Sequence, residues 1–125
     1  MYKENSTTGG FVIHEHHAKN LHYDFRLQMG GALKSWAVPK NIPLKKGIKR
    51  LAIEVEDHPL DYIDFQGEIP AGQYGAGRVL IWDNGGYELK STSKKKIEFL
   101  LHGKKAKGRF MLLHLKDKQW LIFMR

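Results

Sequence analysis

From Phe11 to the C-terminus the chain is a string of short runs in which apolar and polar residues alternate, and no segment sustains a 3.6-residue period. Successive side chains of a strand point to opposite faces, so each run reads as a half-buried strand. A chain built only from such runs has to close or stack its sheet to bury the apolar faces. The runs are "GFVIHEH", "NLHYDFRLQM", "ALKSWAVP" (ended by Pro39), "LAIEVEDHP", "RVLIWDNGGYELK", "KKKIEFLLHG", "GRFMLLHL" and "WLIFMR". Gly30–Gly31 reads as a hairpin turn, as does Asn84-Gly85, and "KDKQ" as a tight connection between the last two strands. Residues 40–50 read as a lysine-rich loop. "GEIPAGQYGAG" is too rich in glycine and proline for regular structure, so it should be a loop that approaches something closely. The only helix candidate is a single turn around residues 93–99. The expected fold is all-β and mainly antiparallel: a single domain of about eight strands, closed as a barrel or stacked as a sandwich, with at most short helical turns. It would span residues 11–125 behind a flexible N-terminal lead of residues 1–10.

A chain of 125 residues is the size of one domain and can bury one core, which its 42% hydrophobic content supports. The chain has no cysteine, which excludes thiolate metal sites and cysteine nucleophiles and is compatible with a reducing cytoplasm. No apolar run reaches the length of a membrane span, and the polar opening "MYKENSTTGG" lacks a signal-peptide core. A soluble, cytoplasmic protein with no membrane partner is therefore expected. Lysine and arginine outnumber acidic residues 21 to 13, a net charge of +8 that favours polyanions, nucleic acid first.

Chemistry concentrates in "HEHHAKNLHYDFR", His14 to Arg26, which holds four of the seven histidines. Strand parity puts His22, Asp24 and Arg26 on one face, about 7 Å apart along it by a rise of ~3.3 Å per residue. His14 or His16 can fold back over that face through the turn at "AKN". Two imidazoles and a carboxylate suit Mn²⁺, Fe²⁺ or Zn²⁺ better than Ca²⁺ or Mg²⁺, and three protein ligands leave room for substrate. Arg26 beside such a site suits a phosphate group held bidentately. A second cluster, "EVEDHPLDY", puts His58 at a strand end before a proline, with Tyr62 four residues on. Lysines 34, 40, 45, 46 and 49 with Arg50 make the region between the clusters strongly basic. His102 and His114 read as solvated.

Five segments, "FVIHEHHAKNLHYDFRL", "LKSWAVPK", "RLAIEVEDHPLDY", "GEIPAGQYGAG" and "VLIWD", resemble in order and spacing the 3′-phosphoesterase domain family of bacterial and archaeal DNA ligase D. The resemblance runs from Phe11 to about Tyr87 and more loosely to the end; with no ligase or polymerase module in the chain, it resembles the free-standing members. It implies a Mn²⁺-dependent phosphoesterase with a compact β-barrel, Co²⁺ or Zn²⁺ being other ions the site would accept. Such an enzyme heals DNA or DNA/RNA primer-template 3′ ends during non-homologous end joining. It removes a 3′-terminal ribonucleoside and then the 3′-phosphate, leaving a 3′-OH for a separate ligase and polymerase. By motif, His16, His22 and Asp24 would be the metal ligands, and Arg26, Lys40, His58 and Tyr62 would surround the scissile phosphate. Glu56 and Arg50 match supporting positions. The resemblance selects His16 and leaves His14 and His17 as bystanders. The family's N-terminal arm is much reduced here, and a monomer is expected.

Two other classes fit parts of the pattern. A two-histidine, one-carboxylate iron(II) oxygenase would use the same ligand types, but would need His58 as a ligand and a larger barrel for its co-substrate. A non-catalytic barrel binding single-stranded nucleic acid through charge and Trp36, Tyr74 and Trp82 would explain the basicity and leave the histidine stretch unused.

Overall fold

The computed structural model describes residues 8–125. Nine strands follow in order: β1 (Thr8–His17), β2 (Leu21–Met29), β3 (Ala32–Val38), β4 (Lys49–His58), β5 (Gly67–Ile69), β6 (Gly77–Thr92), β7 (Lys96–Gly103), β8 (Lys107–Lys116) and β9 (Gln119–Met124). All pairings are antiparallel, in the order β1-β2-β3-β4-β9-β8-β7-β6, and β1 pairs again with β6, so eight strands close into a barrel. The three-residue β5 adds to the free edge at the start of β6. The expected eight-stranded all-β barrel is therefore the observed architecture, with one short extra strand.

Turn chemistry accounts for the short connections. Gly30 and Gly31 both have positive φ (61° and 84°), as the hairpin between β2 and β3 requires. Asp117 takes φ 51° at the β8–β9 turn. The Asn84-Gly85 hairpin does not form. β6 runs unbroken for 16 residues, with Asn84 opposite Val12 and Gly85 between Phe11 and Gly103. Gly85 is needed there for space: a Cβ would run into the carbonyl oxygen of His102 on the neighbouring strand. The helical turn expected at residues 93–99 is also absent, because Lys96 onward is committed to the β7–β8 ladder. The one helical turn in the described residues is a 3-10 turn at Leu60–Asp64, started by Pro59. Residues 8–10, expected in the N-terminal lead, are strand and pair with Glu88, Tyr87 and Gly86; residues 1–7 lie outside the described residues.

The barrel interior is apolar and drawn from every barrel strand: Phe11, Ile13, Phe25, Trp36, Phe99, Phe110 and Ile122 among others, each fully buried. Phe25 packs on Trp36 and stacks on Phe99 at 5.6 Å. The opposite parity of β1, β2 and β3 carries Val12, His14, His16, Asp24, Arg26, Leu33 and Ser35, and these too are buried. The 3-10 turn packs against β1 and β3 from outside the barrel. A second layer therefore lies over the outer face of three strands, and polar side chains fill it.

Candidate active site

Asp24 sits at the centre of this outer layer, 5% exposed. His16 Nδ1 lies 3.3 Å from Asp24 Oδ2, and His22 Nε2 lies 3.3 Å from Oδ1. The β1–β2 register explains the convergence, since His16 is directly opposite His22 and Asp24 follows one alternate position along. Among the described residues this is the one cluster whose donor atoms, one per residue, fall within 4.8 Å of one another.

Backbone carbonyls set both tautomers. His16 donates from Nε2 to Gly75 O at 2.8 Å, which leaves Nδ1 as the free lone pair. His22 donates from Nδ1 to Asn20 O at 3.0 Å, which leaves Nε2 free. In each ring this remaining nitrogen is the atom facing Asp24: it offers a lone pair to an ion when the ring is neutral and donates to the carboxylate when the ring is protonated. Burial alone would raise the Asp24 carboxyl, but hydrogen bonds from His16 and His22 and the charge of Arg26 hold it well below the ordinary carboxylate range. The hydrogen bond to Asp24 raises the His22 pKa against the opposing effect of burial. Two neutral-capable imidazoles with fixed tautomers and one ionised carboxylate form a donor set that fits a divalent transition ion.

Arg26 is the hub of the neighbouring half of the site. It is 3% exposed, and each of its three nitrogens has a partner. Nε donates to His14 Nδ1 at 3.1 Å, Nη1 donates to Ser35 Oγ at 2.9 Å, and Nη2 lies 3.4 Å from Asp24 Oδ2. Nη1 is also 3.1 Å from His58 Nδ1. A guanidinium has no lone pair, so in this contact His58 accepts and keeps its proton on Nε2. The same nitrogen lies 3.1 Å from Glu56 O, a contact that needs a proton on Nδ1 and so gives way while Arg26 donates there. Tyr62 covers the guanidinium at 5.1 Å and is itself held between the rings of Phe65 and His58. Burial and the Arg26 charge lower the His58 pKa, and burial raises that of Tyr62, so both side chains are neutral hydrogen-bond donors.

His14 and Ser35 are the residues that sequence reasoning missed. His14, expected to be a bystander, is fully buried and bridges Arg26 to the covering layer, donating from Nε2 to Phe65 O at 3.0 Å. Burial and Arg26 lower its pKa to about 4, so it is neutral and its Nδ1 accepts from Arg26. Parity put His14 on the same face as His16, and that was the available signal. Ser35 extends the chain of hydrogen bonds by donating to Leu33 O. His17, read as a bystander, pairs with Glu15 at 2.6 Å. His102 is exposed and paired with Glu88, whereas His114 stacks on Trp120 at 4.7 Å rather than standing free in solvent.

The side chains of His16, His22, Asp24, Arg26, His58 and Tyr62 line a single cavity of about 270 Å³. Glu56 lies at its edge, exposed, and the glycine-rich loop forms its rim through Tyr74 and Gly75. That loop does approach closely: Gly75 supplies the His16 acceptor, and a Cβ on Gly77 would strike the carbonyl of His17. Lys40 and Arg50 are not among the lining residues. Arg50 Nη1 donates to the carbonyls of Lys40 and Asn41, and all three border a separate cavity.

A model of the DNA ligase D 3′-phosphoesterase domain matches residues 14–114. The multifunctional non-homologous end joining protein LigD of Mycolicibacterium smegmatis is 47% identical over 95% of this chain and 18% of its own length. The corresponding Mycobacterium tuberculosis protein is 48% identical over 89% of this chain and 15% of its own, and that of Pseudomonas aeruginosa 46% over 90% and 14%. The chain thus spans less than a fifth of the length of these relatives. Among the described residues no helix is long and apolar enough to cross a membrane.

Proposed function

The chain belongs to the DNA ligase D 3′-phosphoesterase domain family, and from that premise we propose that it is a divalent-metal-dependent enzyme that heals DNA 3′ ends. A phosphoesterase acting in DNA end processing is what membership supports. The finer reading is that it removes a 3′-terminal ribonucleoside and then the remaining 3′-phosphate. The observation that carries this reading is the pairing of the two halves of the cavity: a three-donor cluster at Asp24, and a buried, fully braced guanidinium beside it.

His16 Nδ1, His22 Nε2 and an Asp24 oxygen would hold the ion, with Mn²⁺ the proposed occupant and Co²⁺ or Zn²⁺ alternatives. When bound, it supplies Lewis-acid charge at the phosphoryl oxygens. Arg26 neutralises the same oxygens from the other side, and its bracing by His14, Ser35 and Asp24 means that it need not reorganise during reaction. His58, neutral with a proton on Nε2, donates a hydrogen bond to a phosphoryl or leaving oxygen, and Tyr62 orients the group through its hydroxyl. The primer-template 3′ end is the proposed partner, with a separate ligase and polymerase acting on the product. The chain is proposed to work as a monomer.

The test is a set of primer-templates ending in 3′-phosphate or a single 3′-ribonucleotide, assayed with Mn²⁺, other divalent ions and EDTA. The reading expects phosphate and ribonucleoside release that needs the ion and is abolished in His22→Ala with the fold intact. Undiminished release in EDTA, or full activity in His22→Ala, contradicts it.

A further inference from the structure

The proposed chemistry uses the outer face of β2, but the strand also presents Tyr23 between His22 and Asp24, pointing by parity to the barrel side. There the loop 39–48 crosses one end of the barrel, anchored by Ile42 in the apolar core. At this mouth lies a cavity of about 440 Å³ bordered by Tyr23, Trp82, Lys40, Lys45, Arg50 and Leu44. Three of its lining residues are cationic and none is acidic. The carboxylates beside it in the fold are already engaged: Glu15, opposite Tyr23 in the register, is paired with His17 at 2.6 Å, and Asp83, next to Trp82, accepts from the backbone amides of Asn84, Lys104, Lys105 and Ala106.

The aromatic pair has a specific state. The Trp82 ring is half-buried, Tyr23 meets it edge-on at 6.2 Å, and the exposed Lys105 Nζ sits over it at 4.6 Å. A lysine over a solvent-accessible indole is held weakly, by a factor of roughly two to five in population. A nucleobase stacked on the same surface gains roughly five- to 150-fold. A base can therefore displace Lys105 and leave its ammonium beside the base's own phosphate. The loop bearing Lys40 is also held in a demanding shape: Asn41 has φ 69°, outside the usual range for a residue with a side chain, and Arg50 pins the carbonyls of Lys40 and Asn41 at that bend.

We propose that the barrel mouth is a second subsite that holds an unpaired nucleotide of the substrate strand, its base stacked on Trp82 and its phosphates among Lys40, Lys45 and Lys105. The proposal deepens the 3′-end reading and rests on it for the identity of the strand. The two faces of β2 then divide the work. One holds the reacting phosphate, and the other grips the same polymer beyond it. Affinity at the mouth is tolerant of base identity, because stacking and charge supply it.

The probe is a short 5′-fluorescein-labelled oligothymidylate ending in 3′-OH, titrated with the whole chain in EDTA; its anisotropy gives the affinity of wild type and variants alike, and tryptophan emission of the wild type is followed in parallel. Trp36 and Trp120 are 0% and 5% exposed, so a quench on binding reports Trp82. The expected result is a saturable quench, with affinity about five-fold or more weaker in Trp82→Leu, as loss of one stacked base predicts, and largely kept in Trp82→Phe. Lys45→Gln/Lys105→Gln, two exposed positions that leave the fold undisturbed, should flatten the slope of log affinity against log salt by roughly 0.7 for each phosphate no longer neutralised. With Mn²⁺, these variants should raise KM on an oligonucleotide 3′-phosphate and leave turnover of thymidine 3′-monophosphate unchanged. Equal affinity in wild type, Trp82→Leu and the double lysine variant overturns the subsite. So does competition by inorganic phosphate as strong as by the oligonucleotide, which marks a simple anion site. If the EDTA binding differences hold but wild type releases phosphate from neither substrate, the subsite stands and the catalytic reading falls.

Discussion

Two aspartates are buried in this protein to almost the same degree, Asp24 at 5% and Asp83 at 4% exposure, and they are satisfied in opposite ways. Asp83 spends both oxygens on backbone amides. Oδ1 accepts from Asn84 and Lys104, and Oδ2 accepts from Lys105 and Ala106, all between 2.7 and 3.0 Å. It clamps the β7–β8 turn, and Gly103 is required there because a Cβ would collide with the same carboxylate. The partners of Asp24 are instead His16, His22 and Arg26, three side chains that can exchange a mutual contact for a ligand, at the looser distances of 3.3–3.4 Å. Short bonds to fixed amides make a structural clamp, and long contacts to imidazoles and a guanidinium over a cavity make a site. Burial alone does not tell the two apart; the partner type and the slack do.

The contrast is most vulnerable at Asp24. Asp24→Asn should lower phosphate release by at least about 10³-fold even among molecules that remain folded, since a neutral amide keeps the shape of the side chain but loses the charge an ion requires; it should also lower stability, because the buried Arg26 guanidinium loses its carboxylate. A Mn²⁺ assay of the purified, folded variant checks it. Arg26→Ala should cost about 10²–10³-fold in turnover, the range for losing a preorganised charge donor, with Mn²⁺ affinity changed much less. Separate measurement of kcat and of ion binding decides this, and unchanged kinetics would remove Arg26 from the phosphate site. Asp83→Asn should reverse the pattern: a loss of roughly 2–4 kcal/mol in stability, because an amide nitrogen then faces backbone donors, with activity per folded molecule retained. Denaturant unfolding with parallel activity assays tests both halves.

The smallest effect is in acid. The backbone amides hold the Asp83 carboxyl below its usual value of 3.8 in the folded protein despite burial. Its stabilisation is therefore present above that value and is lost as pH falls through the lower folded one. The stabilities of wild type and Asp83→Asn should converge on acidification below about pH 4. A gap that stays constant down to acid unfolding would show that the clamp does not depend on the charge.

Local pattern made some of this legible. Alternation in "NLHYDFRLQM" put His22, Asp24 and Arg26 on one face, and that face is the site. The same period revealed the strands, while their closure into a barrel rather than a sandwich was implied by the family resemblance. The role of His14 was not legible, since nothing near it in sequence shows that Phe65, 51 residues on, will cover it and supply a carbonyl. Asn84-Gly85 misled for the converse reason. The dipeptide carries a turn signal, but the constraint acting on it is the close approach of His102 from a strand that comes later. The position of Lys40 likewise depends on Arg50 pinning the loop across the barrel end, away from the cavity at Asp24. At Asn84-Gly85 long-range packing overrode a locally sound reading, whereas the expectations for His14 and Lys40 came from the family resemblance and not from local pattern.

A calorimetric Mn²⁺ titration of wild type, Asp24→Asn and Asp83→Asn, at a temperature where all three are folded, separates site from clamp in one experiment. One binding site is expected in wild type, retained in Asp83→Asn and lost in Asp24→Asn. Binding that survives in Asp24→Asn, or is absent from wild type, would contradict the assignment of Asp24 to a metal site.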